Sequence, residues 1–170
     1  MQFRRNSILG VLAVVSASLT AVPAPAHEYE VGKIKVLHPW LHVPVKGDKS
    51  TAMFMVIEND DEHPDKLIGA SAEVAGKGEI QNAKHEKIAG TVVPPFSAAV
   101  LNPEGDRVVL LDLKDKADIE AGDMLDVTLV FEKAGKLTVD AAVEAPLAKH
   151  AHDFEAMDAF MKATHPETKK

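Results

Sequence analysis

Hydrophobic and polar residues alternate or cluster over short distances along most of the chain, as they do in β-strands. Two nearly continuous apolar runs, at 51–59 (TAMFMVIEN) and 107–114 (RVVLLDLK), have the length and composition of buried strands. Residues 124–132 and 136–144 alternate apolar and polar positions instead, and a Lys-Ala-Gly loop at 133–135 separates them. The pattern therefore predicts two buried strands and a β-hairpin.

The segment at 33–45 (KIKVLHPWLHVPV) alternates at its start and then meets two prolines, which is typical of an edge strand with kinks. Glycine and proline recur at intervals of about eight to twelve residues up to Pro146, and they divide this part of the chain into seven or eight short strands. No long helical period interrupts them. We therefore predict an all-β fold, either an antiparallel β-sandwich or a Greek-key barrel.

The period of the apolar residues changes after Pro146. Five residues spaced three or four apart would share one face of an amphipathic helix, and they are Leu147, His150, Phe154, Met157 and Met161. Proline suits the first position of such a helix. We predict a C-terminal helical extension at 146–170, which would lie across the β domain or dock on a partner.

Residues 1–26 have the features of a secretory signal peptide. Arginines near the start precede an apolar stretch at 8–15, and the Ala-Pro-Ala at 24–26 has the form of a cleavage site. The apolar stretch is too short to span a membrane. We therefore expect a periplasmic protein without a membrane span after cleavage, with one domain at 27–145 followed by the extension.

Charge and composition exclude several functional classes. The formal net charge is −7, and loss of the signal peptide would make it two units more negative because two arginines are removed. Such a chain repels phosphates and is a poor candidate for binding nucleic acid or anionic lipid. It contains no cysteine, so a soft metal would need histidine and methionine ligands. The sequence motifs of serine hydrolases, zinc proteases and phosphate-binding loops are missing, and we expect no enzymatic activity.

Candidate metal ligands lie near the two ends of the secreted chain. Cleavage would make His27 the first residue, whose amine and imidazole would form a bidentate chelate for Cu(II); a terminus without a metal is the alternative. In the extension the candidates are His150, His152, Met157, Met161 and His165. An amphipathic helix that binds no metal is the alternative for this segment.

Other histidines have simpler interpretations. His38 and His42 flank Trp40 and would share a face with it on a regular strand, although a proline disturbs the strand there. We interpret both as packing or hydrogen-bonding residues. His63 lies in an acidic turn and is expected to be solvated, and the methionines of segment 51–59 are expected in the core.

Three stretches resemble the PCu(A)C-type periplasmic copper chaperones: AHEYEVGKIKVLHPWLHV (26–43), KLIGASAEVAGKGEI (66–80) and IEAGDMLDVTLVFEKAGKLTVDAAVE (119–144). The resemblance covers about residues 27–144. It implies a cupredoxin-like Greek-key β-sandwich, to which the C-terminal amphipathic helix is appended. It also implies binding of copper, as Cu(I), and delivery to a copper-receiving subunit of cytochrome oxidase or to another periplasmic copper protein.

The resemblance does not extend to the family's copper ligands. Laid on the family's two His-x-Met motifs, this sequence has Gln81 and Ala83 at the first and Arg107 and Val109 at the second. None of these side chains is a useful Cu(I) ligand, and an arginine repels a cation. Two hypotheses follow. The protein handles copper through ligands near its termini, or it is a metal-free interaction module whose polar surface includes Gln81, Arg107 and Asp112.

Overall fold

The computed structural model describes residues 28–45, 47–114 and 119–145, and these residues form eleven β-strands. In chain order the strands are β1 (Glu28–Val31), β2 (Ile34–His42), β3 (Ser50–Asn59), β4 (Asp65–Ala72), β5 (Lys77–Gln81), β6 (Lys87–Ile88), β7 (Thr91–Val93), β8 (Ser97–Leu101), β9 (Arg107–Leu111), β10 (Met124–Phe131) and β11 (Lys136–Glu144). The all-β prediction is confirmed. The strand number exceeds the predicted seven or eight, partly because β6 is only two residues long and too short to show a pattern.

The predicted signal peptide and the predicted C-terminal helix lie outside the described residues. Within the described ranges, no helix is long and apolar enough to cross a membrane.

One continuous sheet contains all eleven strands and curls into a nearly closed sandwich. Its main path runs β6-β5-β9-β3-β2-β11-β10-β4-β7, while β1 pairs with β2 and β8 pairs with β3. Every pairing is antiparallel except that of β11 with β2, which is parallel. Strands far apart in sequence are thus neighbours in the sheet, as in a Greek key. The predicted architecture is therefore confirmed, but the edge-strand prediction for 33–45 is wrong, because β2 lies between β3 and β11 in the sheet.

The inward faces of the strands supply one hydrophobic core. Met53 and Met55 of β3 are buried in it, as expected from the apolar run, together with residues such as Leu41 from β2. Gly78 on β5 lies so close to β4 that a Cβ at this position would overlap the carbonyl group of Ala70. Glycine therefore permits the close approach of β5 and β4, which brings the two ends of the curled sheet together.

A buried carboxylate fixes the β10–β11 turn to the start of β4. Asp65 is buried, and its Oδ1 accepts hydrogen bonds from the backbone N–H groups of Lys66 (2.7 Å) and Lys133 (2.9 Å). Its Oδ2 accepts a third from the N–H of Ala134 at 2.9 Å. The turn was predicted from its Lys-Ala-Gly sequence, but this acceptor lies almost seventy residues earlier in the chain.

Candidate functional site

Two aromatic rings and an imidazole contact each other on the outward face of β2 and β3. Trp40 lies opposite Phe54 in the β2–β3 register, with ring centroids 4.6 Å apart, and the His42 ring meets the edge of Trp40 at 4.8 Å. The inward positions between them are occupied by core residues such as Leu41 and Met53. We call Trp40, His42 and Phe54 the outward aromatic cluster.

A β-bulge in β2 creates this arrangement. Leu37 lies opposite Val56, and Trp40 lies opposite Phe54. Between these two pairs β2 advances by three residues, whereas β3 advances by only two. His38 lies within the bulge and has a φ of 48°, which is uncommon for a residue other than glycine. The extra residue shifts the alternation of the strand, so that Trp40 and His42 both lie on the outward face. His38 lies within the bulge and is separated from them. Trp40 and His42 thus lie together as a strand would place them, whereas His38 lies in the irregularity that Pro39 had indicated.

His42 presents a ring nitrogen that the described residues leave unused. Its backbone carbonyl accepts a hydrogen bond from Thr51 Oγ1 at 2.7 Å, which anchors the main chain. Its Nδ1 atom is buried, and no described residue forms a hydrogen bond with it. A neutral imidazole nitrogen is the commonest protein ligand for transition metals. The structure therefore adds His42 to the candidate ligands, although its sequence context had indicated only a packing role.

The two ends of the described β domain both lie beside β2, close to this cluster. Glu28, the first residue of β1, is paired with Leu37, one position before the bulge. Glu144, the last residue of β11, is paired with His42. His27 precedes Glu28 directly, and the predicted extension begins two residues after Glu144. The sequence alone does not predict that the chain enters and leaves the sheet beside the same strand. The two partner positions on β2, Leu37 and His42, belong to a stretch of six residues.

The predicted terminal ligands themselves, which are His27, His150, His152, Met157, Met161 and His165, lie outside the described residues. Within the described ranges, no three histidine, aspartate or glutamate residues converge in a way that could hold a metal ion. The β domain as described therefore supplies at most part of a metal site, and further donors would have to come from elsewhere in the chain.

The four positions aligned with the family's ligands do not converge on one point. Gln81 lies opposite Arg107 in the β5–β9 register, but Val109 lies opposite Glu79, at the next outward position along the strands. Ala83 is exposed in the turn after β5. That these positions correspond to the family's ligands stays a prediction, and only Gln81 and Arg107 are direct neighbours.

Arg107 has an unusual environment for an arginine. Its side chain is buried, with the residue only 6% exposed, and Nη2 donates a hydrogen bond to the Gly105 carbonyl at 3.2 Å. Its Nε has no hydrogen-bond partner among the described residues. The neighbouring Gln81 donates instead to Glu79 Oε1 at 2.9 Å. Asp112, which was expected to share a polar surface with Gln81 and Arg107, lies beyond the opposite end of β9, and the three do not form one patch.

The remaining histidines of the described part do not contribute to this region. His63 is exposed in its turn, as expected, and its Nδ1 lies 3.1 Å from Asp61 Oδ1. Hydrogen bonds from the His63 backbone and ring lower the pKa of Asp61 below its usual value. His85 is exposed in the turn after β5 and has a φ of 61°.

Two carboxylates face each other across the β10–β11 hairpin. Asp126 and Asp140 are directly opposite in the register. A hydrogen bond from one carboxyl group to the other, together with the charge of Asp140, raises the pKa of Asp126 above its usual value. Asp126 is exposed and Asp140 is half-buried, and the pair adds to the acidity of the surface.

Comparison with known proteins gives consistent matches to one family. Residues 34–143 match the model of the LpqE-like lipoprotein family. The copper-bound PCuAC domain from PmoF2 is 39% identical to this chain, with a TM-score of 0.65 over 71% of this chain and 99% of that one. The apo PCuAC domain from PmoF1 is 42% identical, with a TM-score of 0.65 over 71% of this chain and 100% of the other.

A more distant structure, the Cu(I) form of DR1885 from Deinococcus radiodurans, shares the fold. It is 21% identical, with a TM-score of 0.57 over 77% of this chain and 85% of that chain. No curated protein matches the chain in sequence.

Proposed function

The chain belongs to the LpqE-like, PCuAC-type family, and from that premise we propose that it is an exported copper-binding protein that acts as a copper chaperone. The family model covers most of the β domain. A solved relative that is 39% identical over 99% of its own length contains copper. Copper is here the cargo of the protein, and we propose no chemistry on a substrate. The family's lipoprotein description and the predicted signal peptide support export to the periplasm.

We place the proposed copper site where the two ends of the domain meet β2. The observation that carries this proposal is the pairing of Glu28 with Leu37 and of Glu144 with His42. If cleavage exposes His27, its amine and imidazole would be tethered by β1 to the strand that also bears His42. The extension, with its own candidate donors, would start at the same place.

The donor set fits the cargo. Imidazole nitrogen and thioether sulfur are both ligands that copper accepts, and the chain has no thiolate to offer. The core donor of the proposed set is His42, whose buried Nδ1 has no hydrogen-bond partner in the described part of the chain. The terminal donors are His27, His150, His152, Met157, Met161 and His165. Because they lie near chain ends, they could be exchanged one at a time for those of a recipient.

We propose that the recipient is a copper-receiving oxidase subunit or another periplasmic copper protein. Release would proceed by ligand exchange, in which an incoming donor replaces a terminal histidine while the β domain stays unchanged. The acidic surface would not oppose a cationic cargo, since opposite charges attract.

A competition titration tests the copper proposal. The protein purified after export, beginning at His27, is titrated with Cu(I) and separately with Cu(II) against a chelator of known affinity. Four variants are compared with it: an extra residue before His27, His42→Ala, the double variant His150→Ala/His152→Ala, and His63→Ala as the matched control. His63 is an exposed histidine of the same domain.

We expect the blocked terminus and His42→Ala each to weaken Cu(II) binding at least tenfold, while His63→Ala leaves the affinity unchanged. No binding stronger than the chelator in any version would reject the copper proposal and favour the metal-free interaction module. Binding that survives the first three changes together would place the site elsewhere in the chain.

A further inference from the structure

Four apolar side chains are buried in this protein without belonging to its core. Trp40 is 4% exposed and Phe54 is 2% exposed, while Val56 and Val109 are similarly buried. None of the four is part of the core cluster formed by the inward faces. They lie together on the outward face: Trp40 is opposite Phe54, Val56 is two residues from Phe54 on β3, and Val109 lies opposite Ala52. We call these four residues the outward patch.

The strand pairings do not place another strand across the outward patch. The strand contacts beyond paired neighbours, such as those of β4 with β5 and β9, run through the interior, where Gly78 meets Ala70. An outward sheet face normally contacts water, and side chains as large as tryptophan and phenylalanine are not hidden there unless other atoms cover them. The burial of the outward patch therefore requires covering atoms beyond the paired strands themselves.

We propose that the C-terminal segment 146–170 packs on the outward patch as an amphipathic helix. The sheet determines where this segment starts, because β11 runs parallel to β2 and ends with Glu144 beside His42, two positions from Trp40. The segment carries an apolar stripe, which consists of Leu147, His150, Phe154, Met157 and Met161. No other part of the chain beyond the described ranges both begins at this strand end and would remain after the predicted cleavage.

The dimensions agree with this placement. The stripe from Leu147 to Met161 would be about 21 Å long at about 1.5 Å per helical residue. The outward patch spans three neighbouring strands, β2, β3 and β9, which are separated by about 5 Å each. A helix of this length therefore covers the patch with about two turns to spare. This inference does not require that the protein binds copper.

The chain contains a built-in reporter, because Trp40 is the only tryptophan. The test uses the purified full chain with a metal chelator present, so that copper cannot quench the fluorescence. The double variant Phe154→Ala/Met157→Ala removes the centre of the stripe. Phe160→Ala is the matched control, since residue 160 lies about 120° away from Phe154 on a helix and off the stripe.

We expect the double variant to shift the Trp40 emission maximum to longer wavelength and to raise the acrylamide quenching constant at least twofold. The Phe160→Ala variant should match the unaltered protein in both. Circular dichroism at low and high temperature checks that the β domain stays folded in every variant.

Three results would overturn the inference. Unchanged emission in the double variant would show that another segment covers Trp40. An equal change in both variants would show that the stripe has no special role. A change that depends on protein concentration would assign the cover to a second copy of the chain.

Discussion

Replacing Asp65 tests whether one buried carboxylate holds the β10–β11 turn against β4. The side chain is only 6% exposed and accepts three backbone hydrogen bonds, from Lys66 at 2.7 Å and from Lys133 and Ala134 at 2.9 Å each. Asp65→Ala removes all three acceptor interactions at once. The two amide groups of the turn would then lose their acceptor and would have to find water.

The magnitude follows from the strength of hydrogen bonds to charged groups, which is about 1.5–3 kcal/mol each. Lys133 is exposed and Ala134 half-buried, so water replaces part of what is lost. We therefore expect Asp65→Ala to lower the free energy of unfolding by about 3 kcal/mol, which is less than the sum of about 4.5 kcal/mol that three such bonds give at the low end. Asp65→Asn keeps an oxygen for Lys66 and Lys133 but turns an amide N–H₂ toward Ala134, and should cost about half as much.

Urea unfolding measures this effect as a shift of the midpoint at unchanged slope. Asp60→Ala is the matched control, because Asp60 is a neighbouring, exposed aspartate whose carboxylate pairs with Lys35 at 3.2 Å. Exposed ion pairs contribute little, so this control should unfold close to the unaltered protein. If Asp65→Ala and Asp60→Ala unfolded at the same urea concentration, the proposed role of the buried carboxylate would be refuted.

Three further substitutions test other features of the β domain. The raised pKa of Asp126 means that the folded state binds its proton more tightly than the unfolded state does, so the protein loses stability as pH rises through that pKa. Asp126→Asn should therefore raise the urea midpoint at pH 7 and lose this advantage in acid; an equal gain at all pH values would contradict the repulsion from Asp140. Gly78→Ala should destabilise by about 1–3 kcal/mol through overlap with β4, whereas Gly69→Ala, which has open space around it, should not. Arg107→Met should leave the urea midpoint equal or higher, because it replaces a buried guanidinium that lacks a full set of partners; a loss above about 1 kcal/mol would contradict this.

The strands of the core could be predicted from sequence because each has a strong local signal. The apolar run at 51–59 became β3 and the alternating segments became β10 and β11, all within one residue of the predicted bounds. The run at 107–114 gave a shorter strand, β9, because the chain leaves the sheet at Asp112, which has a φ of 54°. The two-residue strand β6 is too short to carry a periodic signal, and its pairing with β5 creates it.

The candidate site was less accessible to sequence reasoning, because it depends on register. Whether Trp40 and His42 face the core or the outside is decided by one extra residue in β2 relative to β3, and Pro39 marks the irregularity without revealing its size. The parallel pairing of β11 with β2 brings chain ends more than a hundred residues apart to one strand. The predicted ligands His27, His150 and His152 stay predictions, as they lie outside the described residues.

His150, Met157 and Met161 are candidate copper ligands that also belong to the stripe of the docking proposal, and Met157 tests this conflict most directly. A docked helix would bury its side chain against the outward patch, whereas the copper proposal counts its sulfur among the donors. Met157→Leu separates the two roles, because leucine conserves apolar volume and lacks the thioether. If the helix docks as inferred, the Trp40 emission maximum of this variant should stay unchanged. Unchanged Cu(I) affinity in the same variant would then remove Met157 from the ligands and leave the other candidates, which are His27, His42, His150, His152, Met161 and His165. A tenfold loss of Cu(I) affinity with unchanged emission would contradict this, since it would require a buried sulfur to reach the metal.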